Sequence, residues 1–276
     1  MPELPEVETT RRGIQNKTDQ QIITKFIVRN PNLRWPVDLS LVDKLPRHKI
    51  LSVSRRGKYI LLETPIGTLL IHLGMSGTLR VVPADTPTIK HDHIDIVFAN
   101  GFALRLNDPR RFGSVLWHAV EDGVIQQHKL LSKLGPEPLS DHFNGDYLYK
   151  MSRNRKVIIK SFIMNSHIVV GAGNIYANES LFLSAIHPEK QASKLTKKQC
   201  NLLADNIKTV ITAAIKQGGT TLKDFLSPDG KPGYFKQELN VYDQEGKACT
   251  VCGTPIERKV LNQRATYYCP KCQTKK

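Results

Sequence analysis

Four cysteines near the C-terminus constrain this chain more than any other feature. Cys249 and Cys252 form one close pair, Cys269 and Cys272 a second, and sixteen residues separate the pairs. Each pair supplies two thiolates from a tight turn, and four thiolates match the tetrahedral preference of Zn²⁺. About 35 residues bury too little apolar surface to fold unaided, so one metal ion would stabilise this unit directly. With every position filled by protein sulfur, that Zn²⁺ is structural rather than catalytic. Four of the five cysteines lie in the last 28 residues, which favours metal binding in a reducing compartment over disulfides. Cys200 falls in a helical pattern and reads as a small buried hydrophobe.

The chain's 276 residues leave room for one large domain or two smaller ones. Lys and Arg number 40 against 25 Asp and Glu, a formal charge of +15. Solubility needs far less. Such an excess points to a polyanionic partner, nucleic acid first among them, with an evenly spread charge as the competing reading. No apolar run is long enough to span a membrane. The start, Met1-Pro2-Glu3-Leu4-Pro5-Glu6, lacks the basic and apolar regions of a signal peptide, so a cytoplasmic protein is expected. Nothing in the sequence argues for an oligomer, and a monomer is expected.

The hydrophobic pattern changes along the chain. Pro5 is placed like the first residue of a helix, with Glu6 and Glu8 in its first turns and Arg11 and Arg12 later. Strand-like runs follow at 22–28, 50–53, 59–62, 69–73, 94–99, 102–106 and 115–118. Asn100-Gly101 favours a hairpin turn between two of them. The period becomes helical beyond Gly135-Pro136-Glu137-Pro138. Val157, Ile158, Phe162 and Ile163 suit one helix, Ile175, Leu181 and Phe182 a second, and 195–215 a long third. The expected architecture is α+β and multidomain. A β-sandwich with its N-terminal helix spans 1–120, a linker 121–138, a helical domain 139–239 and a zinc finger 240–274.

Removal of Met1 would expose the secondary amine of Pro2. An α-amino group has a pKa of about 7.7–8, so a useful fraction is neutral at cellular pH. Attack on a sugar aldehyde carbon gives an iminium, an electron sink that acidifies the neighbouring C–H. Glu3 follows directly and can move protons. On these residues alone a simpler reading is favoured: Pro2 protects the terminus, and Glu3 and Glu6 complement a helix start.

Several blocks together resemble one family. They are Pro2-Glu3-Leu4-Pro5-Glu6-Val7-Glu8-Thr9, Arg56-Gly57-Lys58-Tyr59, His72-Leu73-Gly74-Met75-Ser76-Gly77, His91-Asp92-His93 and Asp108-Pro109-Arg110-Arg111-Phe112-Gly113. Further on come Gly171-Ala172-Gly173-Asn174-Ile175-Tyr176-Ala177-Asn178-Glu179, Gly218-Gly219-Thr220-Thr221-Leu222 and the four cysteines. In this order they resemble the bacterial formamidopyrimidine-DNA glycosylases. Leu4 separates the chain from the endonuclease VIII branch, which usually carries glycine there.

The resemblance implies a catalytic β-sandwich, a helix–two-turns–helix domain and a four-cysteine zinc finger. It implies excision of oxidised purines from double-stranded DNA, followed by β- and δ-elimination. Pro2 would be the nucleophile at C1′, Glu3 a proton donor, Lys58 the residue of β-elimination and Arg264 that of δ-elimination. An arginine is a poor proton source, so Arg264 reads better as a phosphate anchor. Met75, Phe112 and Arg110, or Arg111 in its stead, would fill the stack left by a flipped nucleotide. His72, His91, Lys156 and Asn174 match DNA-contact positions, and Lys160 is a further candidate. His91 and His93 are expected to be neutral donors to phosphate, and Asn174 to cap its helix. The segment from Gly218 to Phe225 would close over the flipped base. The competing functions are a glycosylase for oxidised pyrimidines and a non-enzymatic zinc protein that binds damaged DNA.

Overall fold

The computed structural model describes residues 2–218 and 239–275. Apart from Gly218, the expected base-closing segment lies outside the described residues. The described chain forms two compact units, the first from residues up to 132, the second from 133–217 together with 239–275.

The first unit opens with helix α1 (Leu4–Thr18). Leu4 is its first residue and Pro5 its second, one position later than expected. The Glu6 carboxylate accepts the Glu3 backbone N–H at 2.8 Å, satisfying a donor that the helix start leaves over. Gly13 does not end the helix. Val7 and Ile14 are buried on one face, and their packing outweighs a glycine cost of about 1 kcal/mol.

Eight strands follow in two antiparallel sheets of four. One has the order β1 (Ile23–Val28), β6 (Asp92–Phe98), β7 (Phe102–Asn107), β5 (Thr78–Pro83). The other runs β2 (Ser52–Arg56), β3 (Tyr59–Thr64), β4 (Gly67–His72), β8 (Ser114–Ala119). The short helix α2 (Leu41–Lys44) lies between β1 and β2 in the chain. Phe26, Ile96 and Leu104 from one sheet join Ile60, Leu69 and Ile71 from the other in a single core. Each such side chain contributes about 1.5–3 kcal/mol when fully buried. The sandwich is as expected, but β5 was not legible, because Arg80 interrupts its apolar run. Strand β2 starts after Ile50 rather than at it.

The second unit holds α3 (Gly145–Ser152), α4 (Ile159–Ile163), α5 (Asn174–Leu183), α6 (Lys197–Lys216) and a hairpin of β9 (Glu257–Leu261) and β10 (Arg264–Tyr268). Helix α3 is too short to show a period. Its start is fixed by Asn144, whose side chain accepts from Tyr147 N at 2.9 Å. Val157 is exposed and Ile158 only caps α4, so neither belongs to the helix face expected for them. Helix α6 begins with a Thr196–Gln199 capping box and buries Cys200 as expected, but leaves Leu202 exposed.

Candidate nucleic-acid interface and metal centre

Pro2 and Glu3 lead into α1, and both are buried. One turn further on, Glu8 is gripped by three guanidinium groups. Arg12 Nε donates at 2.7 Å, Arg11 Nη2 at 2.9 Å and Arg55 Nε at 3.0 Å. Burial pushes the Glu8 carboxyl up, but these bonds outweigh it and hold its pKa down to about 2. Arg55 also donates through Nη1 to the Gly57 carbonyl at 2.8 Å. It therefore ties α1 to the β2–β3 turn that presents Lys58. Gly57 has φ +58° and stands first in this two-residue turn, the place where a II′ hairpin requires glycine.

His72 pairs in register with Tyr59 and ends β4. Burial lowers its pKa to about 4, helped by the charges of Lys58 and Arg34. Its Nδ1 accepts the Gly74 backbone N–H at 3.0 Å. The ring is therefore neutral near pH 7, with its proton on Nε2.

The loops after β4 and β7 are stitched together by a buried acid. Asp108, fully buried, accepts from Ser76 Oγ at 2.7 Å and from Gly113 N at 2.8 Å. Arg110 N donates to the same Ser76 oxygen at 3.2 Å. A Cβ on Gly74 would lie 2.4 Å from the Gly113 nitrogen, so only glycine allows this approach. The tips stay outside: Met75 is 37 % exposed and Phe112 46 % exposed. The Arg110 guanidinium stacks on the Phe112 ring at 4.9 Å. These residues, with His72, Arg111 and the β1–α2 loop residues Asn32, Leu33 and Arg34, line a cavity of 710 Å³. Among the described residues its lining does not include Pro2, Glu3, Lys58 or His91.

His91 is half-buried with φ +75°. Asp92 braces its loop, accepting from Arg80 Nη2 at 2.6 Å and from Ile89 N at 2.9 Å. His93 differs from expectation. It is buried and bonded through Nε2 to the Asp108 carbonyl at 2.9 Å, so it serves the loop scaffold rather than a phosphate.

In the second unit Lys156 is exposed between α3 and α4. Lys160 is not a surface contact. It is 1 % exposed, and its Nζ donates to the Ala265 carbonyl at 2.8 Å and to Thr266 Oγ1 at 2.7 Å. Asn174 is the first residue of α5 and makes no cap; Gly173 holds that position. The Asn174 amide reaches across to the same Ala265 carbonyl at 3.0 Å. Arg264, exposed, begins β10 after the turn Asn262–Gln263, whose φ values are +47° and +61°.

The four cysteine sulfurs lie within 4.8 Å of one another. Ligands 2.3 Å from a tetrahedral zinc stand about 3.8 Å apart. The separations of Cys249 from Cys272, 3.9 Å, and of Cys252 from Cys269, 3.4 Å, suit one such ion. Backbone N–H groups of Val251 and Cys272 donate to the sulfurs of Cys249 and Cys269, as thiolate charge requires. The four-thiol set has no open position, so its zinc holds the fold. The ribbon packs on α5 through Phe182, Ile256 and Tyr267. The Glu179 carboxylate accepts from the backbone N–H groups of Asn240, Val241 and Tyr242 at 2.9, 3.0 and 2.9 Å. Ser76, Asp108 and Glu179 lie inside recognisable motifs, but sequence reasoning gave them no role. Arg34 carried no signal at all.

A β-sandwich presenting stitched basic loops, with a helical unit and a four-cysteine ribbon, defines a three-module, zinc-bearing class of protein. Residues 1–115 match the formamidopyrimidine-DNA glycosylase N-terminal domain, 134–226 the formamidopyrimidine-DNA glycosylase H2TH domain, and 246–275 the zinc finger found in FPG and IleRS. A formamidopyrimidine-DNA glycosylase of Hydrogenovibrio crunogenus is 62 % identical, covering 99 % of this chain and 96 % of that protein. One from Escherichia coli O6:H1 is 54 % identical over 99 % and 100 %. Lactococcus lactis Fpg in complex with an abasic site containing DNA superposes with a TM-score of 0.89 at 33 % identity, covering 99 % and 100 %. The chain belongs to the formamidopyrimidine-DNA glycosylase family.

Proposed function

We propose that this protein is a bifunctional DNA glycosylase and AP lyase acting on oxidised purines in duplex DNA. The observation that carries this reading is the Ser76–Asp108 stitch. It holds an apolar pair, Met75 and Phe112, and the cation Arg110 at the surface, where burial would be the default for the apolar two. Such a wedge fills the gap left by a flipped nucleotide and donates to the orphaned base. His72, neutral with a donor nitrogen that has no partner among the described residues, suits a phosphate oxygen. His91, Lys156 and Asn174 are assigned further DNA contacts.

The chemistry begins at the Pro2 nitrogen once Met1 is removed. Its lone pair bonds to C1′ as the bond from C1′ to the base breaks, and the proton that the Pro2 nitrogen then loses balances the one taken up by the departing base. Glu3 protonates the ring oxygen, the C1′–O4′ bond opens, and Pro2 is left as an iminium. Loss of the C2′ proton expels the 3′ phosphate, with Lys58 assisting the proton transfer. Loss of the C4′ proton then expels the 5′ phosphate. Arg264 steadies the charge that develops there, and its fork suits phosphate. Water releases the sugar fragment and restores Pro2.

The same reading keeps the boundaries at 1–120, 121–138, 139–239 and 240–274. It assigns a monomer to the bacterial cytoplasm, where its chromosomal substrate lies. Borohydride trapping on an 8-oxoguanine duplex tests it. Reduction yields a covalent adduct whose crosslinked peptide maps to Pro2. Binding without an adduct would overturn the enzyme in favour of a damage-binding protein, and faster excision of thymine glycol would move its substrate to oxidised pyrimidines.

A further inference from the structure

A fully buried lysine needs a reason. Transferring an ammonium out of water is costly unless its hydrogen bonds are met. Lys160 sits on α4 at 1 % exposure, and its Nζ reaches β10 rather than solvent. Two of its acceptors, Ala265 O and Thr266 Oγ1, belong to the two residues that follow Arg264 along the strand. Three further bonds grip the same hairpin. Asn262 Nδ2 donates to Ser161 Oγ at 2.7 Å, Asn174 Nδ2 to Ala265 O at 3.0 Å, and Tyr267 N to Asn178 Oδ1 at 3.0 Å. Residues 262, 265, 266 and 267 are thus held by α4 and α5, while Arg264 between them projects an exposed side chain. A zinc in the four-sulfur site would anchor Cys269 and Cys272, beyond the far end of β10 from Arg264. The turn itself is a weak anchor, because both its residues adopt positive φ without glycine.

We propose that Lys160 is a positioning residue that sets Arg264 against the DNA backbone for the second strand-cleavage step. Its charge polarises the Ala265 carbonyl, and the bond fixes the backbone one residue from the guanidinium. Asn174 shares that carbonyl, so one acceptor couples a DNA-contact residue of the helical module to the arginine of the ribbon. Lys160 acts through these contacts and touches no phosphate. The inference rests on the role assigned above to Arg264.

The test uses the full-length zinc-loaded protein and a duplex with a preformed abasic site, which isolates the two eliminations. Lys160→Met keeps the length and removes the ammonium. We expect the δ-elimination rate to fall about tenfold relative to β-elimination, as a misplacement well under 1 Å would cause. The slope of log K against log salt for DNA binding stays unchanged, whereas loss of a phosphate contact would reduce it by about one. Ser161→Ala, a milder change that removes only the tether to Asn262, shifts the product ratio in the same direction by less. An unchanged ratio in both variants, or a reduced salt slope in Lys160→Met, overturns the positioning role. Arg264→Ala is run alongside. An unchanged δ-to-β ratio in that variant would defeat the role of Arg264 itself and, with it, this inference; a changed ratio there beside unchanged Lys160 and Ser161 variants defeats only the inference.

Discussion

Ser76 Oγ donates a hydrogen bond of 2.7 Å to the carboxylate of Asp108 across two loops 32 residues apart in sequence. Asp108 also accepts from Gly113 N, and its carbonyl bonds His93. One buried acid thus organises both exposed tips. Asp108→Ala leaves the Gly113 N–H and the Ser76 hydroxyl without their acceptor. Stability is expected to fall by about 2–4 kcal/mol, the cost of breaking a buried network. Affinity for an abasic-site duplex falls more than affinity for undamaged DNA. Urea unfolding and fluorescence anisotropy with both duplexes check this, and equal losses on the two would contradict the loop assignment.

Glu8 gives the stability an acid limb. Its folded pKa is about 2 against an ordinary 4.5, so between those values the unfolded chain binds the extra proton. Its contribution is therefore complete above pH 4.5 and disappears as the pH falls towards 2. Glu8→Gln is expected to cost about 2 kcal/mol at pH 7, after screening at the partly exposed arginines, and much less near pH 2.5. Denaturant midpoints of both proteins should converge as the pH is lowered. Parallel curves would refute the ion-pair account.

His72 offers a direct reading by NMR. Its pKa of about 4 lies below the ordinary 6.5, so the folded state stays neutral where the unfolded state becomes protonated. Its burial therefore favours folding fully above pH 6.5 and progressively less as the pH falls to about 4. In the free protein its ring carbon proton should titrate near pH 4. A midpoint at 6 or above would mean that Nε2 is not held as a neutral donor.

Gln263 occupies a position that prefers glycine. Asn262 and Gln263 both have positive φ in the β9–β10 turn, and a side chain there costs about 1 kcal/mol. Gln263→Gly should stabilise the ribbon by about 0.5–1 kcal/mol. Slower zinc transfer to a chelator is the readout, and faster transfer would show that the turn is not strained.

Removing the metal tests the ribbon as a unit. Cys252→Ser leaves three thiolates where tetrahedral zinc uses four. Zinc content should fall and Tyr267, packed beside the site, should change its fluorescence. DNA affinity is expected to drop about tenfold or more, in the range that loss of a structural ligand produces. Full zinc occupancy with normal binding would exclude the four-sulfur site.

What the sequence determined by itself was local or covalent. Two cysteine pairs at fixed spacing require one metal, alternating apolar runs require a sandwich, and Asn100-Gly101 marks the turn between β6 and β7. Gly101, with φ +81°, was readable for the same reason, since a backbone angle is a property of one residue. Side-chain partnership over long sequence separation was not readable. Lys160 and Lys156 look alike in a basic stretch, yet one is buried against β10 and the other faces solvent. Asn174 looked like a cap and instead bonds a carbonyl 91 residues away. His93 looked like a phosphate donor and instead braces Asp108. Pairing of this kind depends on which elements pack together, and hydrophobic burial decides that over the whole chain; only the tertiary structure brings the polar partners within about 3 Å.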